Sequence, residues 1–161
     1  MSGDSKKLKI MWKLLAIRLF VGCIITVYMP YLILSSHPTP LSLNALTIIG
    51  VIFITMAVIF YFRCVWDFAF IGQADNPNII VASGTYKFVR NPMYISLVLI
   101  LLSESLIFRS ERLLGYAFGF WICIHLLVIL YEERSLRKKF GTLYEKYCKE
   151  VPRWIPNFRK A

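Results

Sequence analysis

The chain has 161 residues, of which 58% are hydrophobic and 17% charged, with a formal net charge of +10. An average soluble domain is roughly 45–50% apolar, so one core of this size cannot hide the surplus; an ordinary soluble domain is excluded and a lipid environment is implied. The positive charge sits beside the ends of apolar segments, with no solvated basic domain to carry it, which argues against nucleic acid and for anionic lipid headgroups.

The chain opens MSGDSKKLKIMWKLL, a basic start like that of a signal peptide. No small-residue cleavage site closes its apolar run before Pro30, so the segment reads as a retained first helix over about 11–34. Lys13 can snorkel to the headgroups, but Arg18 lies deeper and is expected to face protein or water. The link SSHPTPLSLN holds two prolines and no lysine or arginine. A second apolar helix follows at about 43–62 and is expected to run on through Arg63 and Asp67, an i,i+4 pair.

The helical period breaks from Ile71 to Val89, where Asn-Pro and Ser-Gly indicate an ordered loop or short extended pieces. A third helix starts at Pro92, whose missing amide is no loss in a first turn, and runs over about 92–108. The tight link RSER returns the chain into a fourth helix, about 113–131, as an antiparallel hairpin. Beyond it, at 132–156, Leu136, Phe140, Leu143, Tyr144, Tyr147 and Val151 recur at helical spacing. Arg134, Arg137, Lys138, Lys139, Lys146 and Lys149 form the opposite, basic face of an amphipathic helix, which can lie along the membrane or close on the loop.

The expected fold is therefore all-α: one domain, a polytopic membrane bundle of about four transmembrane helices plus a C-terminal amphipathic helix. Lysine and arginine number four in the N-terminal tail, none in the first link, three between Arg63 and Arg90, two in RSER and nine from Glu132 onward. The positive-inside rule then sets both termini and the 71–91 loop in the cytoplasm. None of the four cysteines stands in a Cys-x-x-Cys spacing, so neither a disulfide framework nor a metal site is expected.

Polar groups that are costly in such a setting mark the candidate chemistry. In SGTYKFVRNPMY, Gly84 permits a tight turn, Tyr86, Phe88 and Tyr94 can bracket a flat ligand, and Arg90 and Asn91 stand at a helix entrance whose free amides favour an anion. On composition alone an interfacial loop with an aromatic belt explains the same residues. His125, Val128 and Glu132, spaced i, i+3, i+7, are expected on one helix face. A neutral histidine bonded to a backbone carbonyl or to Glu104 is the plainer alternative for His125, and solvation beside the basic tail is the plainer one for either of Glu132 and Glu133.

Taken together these blocks resemble the integral-membrane methyltransferases that include isoprenylcysteine carboxyl methyltransferase and the phosphatidylethanolamine N-methyltransferases. The resemblance spans Gln73 to Pro156: S-G-x-Y-x-x-x-R-N-P-x-Y, an apolar hairpin, paired glutamates, F-G-x-x-Y-x-x-Y and a closing V-P-x-x-x-P. It implies S-adenosylmethionine as cofactor and a hydrophobic or lipid-like methyl acceptor. Carried over by motif, the cofactor-binding residues are Gln73, Asn78, Ile79, Ile80, Val81, Gly84, Tyr86, Arg90, Asn91, Pro92, Met93, Tyr94, Glu132 and Glu133. Asn91 stands where the carboxyl methyltransferases usually have histidine, and Val128 where the prenylcysteine enzyme has a substrate-facing arginine. A carboxylate acceptor is already nucleophilic, whereas an alkylammonium must first lose a proton; His125 and Glu104 are the candidates for that base, and Arg90 completes the catalytic set. Carboxyl O-methylation is the first expectation and phospholipid N-methylation the second. A nicotinamide-dependent membrane reductase and a non-catalytic membrane subunit are the rivals from other classes.

Overall fold

The computed structural model describes residues 13, 16–39, 41–71 and 84–156, and these form helices, turns and loops with no strand among them. Helix α1 spans Ala16–Ser36, α2 Ala45–Ile71, α3 Pro92–Phe108, α4 Glu111–Phe140 and α5 Thr142–Glu150. As expected, α2 continues past the apolar run, and Arg63 Nη2 lies 3.3 Å from Asp67 Oδ1 one turn on.

Among the described residues three helices are long and apolar enough to cross a membrane: α1, α2 as far as Phe68, and α4. Their outward side chains, Phe20, Val27, Ile48, Phe53, Ile59, Phe118 and Ile122 among them, are exposed, the surface expected of a bundle solvated by lipid. At 17 residues, α3 is about 25 Å long and shorter than the other three. It is also the most enclosed, with Met93, Leu97, Ile100 and Leu101 all buried, and it packs chiefly on α2 and next on α4. A helix sheathed by protein need not reach both headgroup layers, which is how a segment this short serves as the centre.

Lipid is as apolar as leucine, so close approach rather than water exclusion holds such helices together. Gly50 supplies that approach: a side chain there would begin 2.7 Å from Ile107 Cγ1 and 3.1 Å from the Ser103 carbonyl. The serines of α3 return their hydroxyls to its own backbone, Ser96 to Met93 O and Ser103 to Leu99 O, both at 2.7 Å. Neither of these two hydroxyls is then left unsatisfied among apolar neighbours.

Two π-turns alter the helices. In α1, Ile24–Tyr28 form one, with the Met29 amide bonded to the Ile24 carbonyl. Pro30 follows directly; it lacks an amide and its ring crowds the Thr26 carbonyl. Widening the turn upstream relieves the crowding, so α1 passes the proline and ends at Ser36. The second, Val128–Glu132, closes with the Glu133 amide on the Val128 carbonyl. It joins what the sequence presents as a fourth span and a separate tail helix into one helix of 30 residues.

The start of α1, the end of α2, the start of α3 and the last third of α4 meet at one end of the bundle. Arg18 of α1 lies over Phe68 of α2 and reaches Met93 of α3, while Arg90 meets Glu133. Replacing Gly50 by leucine should force α2 and α3 apart at a cost of about 1–3 kcal/mol. Thermal unfolding in detergent should register that as a drop of several degrees, while Gly119→Leu, where nothing lies within 4 Å, should leave the midpoint close to wild type.

Candidate active site

The site begins where α2 passes its chain to the 84–94 block. Asp67 is buried and accepts the Thr85 amide at 2.8 Å. Gly84 has φ +54°, and any side chain on it would run into the Asp67 carboxylate; both conformation and space demand glycine. A single 3₁₀ turn, Gly84–Lys87, then brings Tyr86 inward. Asn91 caps α3 without a side-chain bond to its amides, and its Nδ2 instead donates to the Arg153 carbonyl at 3.3 Å.

The adjacent glutamates of α4 have different surroundings. Glu133 is buried and its carboxylate is held by two guanidinium groups: Arg90 Nη1 at 2.9 Å and Arg153, which grips both oxygens at 2.7 and 3.0 Å. Arg137 stands 3.9 Å away and itself pairs with Glu145 at 2.8 Å. Among the described residues Glu132 has no arginine partner; it accepts one neutral hydrogen bond, from the Tyr94 hydroxyl at 2.6 Å.

The tail closes the structure as a strap. After α5, the Arg90 amide donates to the Pro152 carbonyl at 2.9 Å and the Tyr147 hydroxyl donates to the Tyr86 carbonyl at 2.8 Å. Tyr144, Tyr147 and Val151 are buried against Leu136, Phe140 and Cys148. The apolar face expected of the tail is thus turned onto the loop, except for Leu143, which is exposed, and the basic face points outward.

Together these elements enclose a pocket of about 340 Å³, within the range of small-molecule sites. Its walls include Tyr86, Asn91, Met93 and Tyr94 from the 84–94 block, Glu132 and Val128 from α4, Tyr144 and Tyr147 from α5, and Arg18 and Phe68 from the first two helices. Burial pushes the Tyr86 and Tyr147 phenols well above their ordinary range, so both remain neutral. The arrangement is an aromatic chamber with one carboxylate free of any guanidinium, able to receive a flat, cationic, partly apolar ligand.

Of the residues proposed from sequence, Tyr86, Arg90, Asn91, Met93, Tyr94, Glu132 and Glu133 line this pocket. Gly84 and Pro92 shape it from behind, and Gln73, Asn78, Ile79, Ile80 and Val81 lie outside the described residues. Phe88 is not among the lining residues. Of the catalytic candidates, Arg90 lines the pocket and His125 and Glu104 do not. His125 is absent from the lining: it stacks on Trp121, and its Nδ1 lies 3.0 Å from Trp154 Nε1. An indole nitrogen can only donate, so that ring nitrogen must accept and is not available as a base. The reason is the π-turn: one extra residue in the turn rotates Glu132 by about 100° from where an unbroken helix would put it relative to His125. Glu104 lies ten residues beyond Tyr94 on α3, about 15 Å along the axis, toward the opposite end of the bundle. Arg90 is in the pocket wall, but its charge is engaged by Glu133. Sequence reasoning missed Arg18, Phe68, Ser135, Leu136, Tyr144 and Tyr147 as pocket residues; Leu136 and the tail tyrosines carried a signal in their helical spacing and Arg18 in its depth within an apolar segment, while Phe68 and Ser135 carried none.

Comparison with known proteins places this geometry. Residues 42–143 match the family model described as phospholipid methyltransferase. Over 74 residues the chain is 30% identical to Delta(14)-sterol reductase LBR of Gallus gallus, a stretch that covers 45% of this chain and only 12% of that protein. No solved structure matches.

Two substitutions separate structural from ligand-facing roles. Glu133→Gln removes the counter-charge of Arg90 and Arg153 together and should destabilise by about 3–5 kcal/mol, read by unfolding in mixed micelles and by new tryptic cleavage in the tail. His125→Ala should lower the thermal midpoint, because the Trp154 indole loses its acceptor, while leaving affinity for S-adenosylhomocysteine within about twofold; a larger loss of affinity would return His125 to the pocket.

Proposed function

Because the chain belongs to the phospholipid methyltransferase family, we propose that it is a membrane-embedded methyltransferase that uses S-adenosylmethionine and modifies a lipidic acceptor, with carboxyl O-methylation of an isoprenylcysteine-like molecule as the first reading. The observation that carries this is Glu132: a carboxylate with no guanidinium partner, opening into a chamber of tyrosines. When bound, the cofactor supplies a sulfonium-activated methyl group. Glu132 would hold its ammonium or ribose, and Tyr86 and Tyr94 its adenine. Asn78 to Val81, which lie beyond the described residues, are proposed to complete that wall.

The chain's own task is then alignment and exclusion of water. The tail strap covers the chamber from one side and α3 supplies the floor, so a nucleophile held there meets few competing waters. No histidine lines the pocket among the described residues, and of its two carboxylates Glu133 is taken by arginines. An acceptor that arrives already ionised needs no base, which favours a carboxylate over an alkylammonium. Phospholipid N-methylation is the second reading, supported by Asn91 and by the description of the matching family. The excess of lysine and arginine on the tails and middle loop supports a pocket open to the cytoplasm.

Calorimetric titration of the purified chain tests the proposal. S-adenosylhomocysteine should bind in the micromolar range; binding of NADPH in its place would favour a reductase, and binding of neither a non-catalytic subunit. Glu132→Gln keeps the Tyr94 hydrogen bond but removes the charge, and should weaken S-adenosylhomocysteine about ten- to a hundredfold, the equivalent of one charge-assisted contact. Unchanged affinity would exclude Glu132. Lipid extracts from membranes incubated with methyl-labelled cofactor should carry base-labile label; base-stable label would select the amine acceptor.

A further inference from the structure

Arg18 stands outside the ion cluster of Arg90, Arg153 and Glu133. It lines the pocket, yet its partners are neutral: its guanidinium carbon stands 3.8 Å from the centre of the Phe68 ring, and its Nη1 lies 3.8 Å from Met93 Sδ. Arg90, the other arginine in the pocket wall, is paired with Glu133, whereas no carboxylate of the described residues pairs with Arg18. An arginine cannot shed its proton to escape burial, so a half-enclosed guanidinium without a counter-charge is unfavourable until an anion joins it. The backbone holds it there: the Tyr61 hydroxyl donates to the Arg18 carbonyl at 3.0 Å, fixing α1 against α2. The pocket thus holds two unlike charges, Glu132 and Arg18, that do not neutralise each other.

Its position indicates which ligand brings the anion. Ile17, Phe20 and Val21, its neighbours on α1, are exposed on the outer, lipid-facing surface of the bundle. Arg18 therefore stands in the wall shared by pocket and bilayer, where a ligand with its tail in lipid would present its headgroup. We infer that Arg18 is the receptor for the carboxylate of the membrane-borne acceptor, an inference that rests on the methyltransferase reading above. A planar guanidinium can engage one carboxylate oxygen and leave the other exposed. Conversion of that carboxylate to a methyl ester removes its charge, so the same contact that retains the acceptor is lost by the product, which is then free to return to the bilayer.

The test uses the full chain in a neutral maltoside detergent, titrated calorimetrically with N-acetyl-S-farnesylcysteine and, separately, with its methyl ester, with and without S-adenosylhomocysteine. Wild type should bind the carboxylate at least about tenfold more tightly than the ester. Arg18→Gln should bring the two within about twofold, and Arg18→Lys, which keeps charge but not the planar fork, should fall between. Arg18→Gln should bind S-adenosylhomocysteine as wild type does, which also establishes that the variant is folded. A preference that survives in Arg18→Gln, or its absence from wild type, overturns the inference. So does a parallel loss of S-adenosylhomocysteine affinity, which would give the guanidinium to the cofactor's own carboxylate. Failure of wild type to bind S-adenosylhomocysteine would sink the methyltransferase reading instead, while the two farnesyl probes would still decide the role of Arg18.

Discussion

One buried carboxylate organises the functional end of this bundle. Glu133 is gripped by Arg153 from the tail and Arg90 from the start of α3, so three segments distant in sequence are fixed by one ion cluster. A buried ion pair need not add net stability over a well-packed apolar alternative, but it specifies a unique geometry. Here that geometry is the closure of the strap over the chamber. With the tail so held, Tyr144 and Tyr147 become pocket walls, the Tyr147 hydroxyl reaches the Tyr86 carbonyl, and the Pro152 carbonyl takes the Arg90 amide.

The glutamate beside it illustrates how a helix separates two like side chains. Successive residues of an α-helix point about 100° apart, so Glu133 turns into the arginines while Glu132 faces the chamber with only a phenol as partner. The π-turn at Val128–Glu132 separates the two faces, turning Glu132 about 100° away from the face it would share with His125 in an unbroken helix. The widened turn in α1 is a packing solution around Pro30, but this one orients a carboxylate of the pocket wall.

Membrane burial and site architecture are also linked through α3. Because lipid offers the helices no hydrophobic drive toward one another, α3 is held by close contacts at Gly50 near one end and by polar and ionic ties at Arg90, Asn91 and Tyr94 near the other. The same polar ties that fix the helix furnish walls of the pocket.

Composition and periodicity were enough to establish an all-α membrane bundle, the hairpin of α3 and α4, the continuation of α2 through Arg63 and Asp67, the inward turn of Arg18 and the amphipathic tail, since each depends on local spacing or on where a charge can tolerate lipid. Tyr86, Tyr94 and the glutamate pair, grouped from the motif blocks, line one pocket, because an apolar hairpin must return its flanking polar segments to one side. Three features depended on tertiary structure. That Glu133 is taken by arginines while Glu132 meets the Tyr94 hydroxyl turns on the π-turn Val128–Glu132, which leaves no mark in hydropathy. The fate of His125 depended on Trp154, 29 positions away. That Arg18 meets neutral atoms rather than a carboxylate is decided by Phe68 and Met93, brought to it by helix packing that no local pattern encodes.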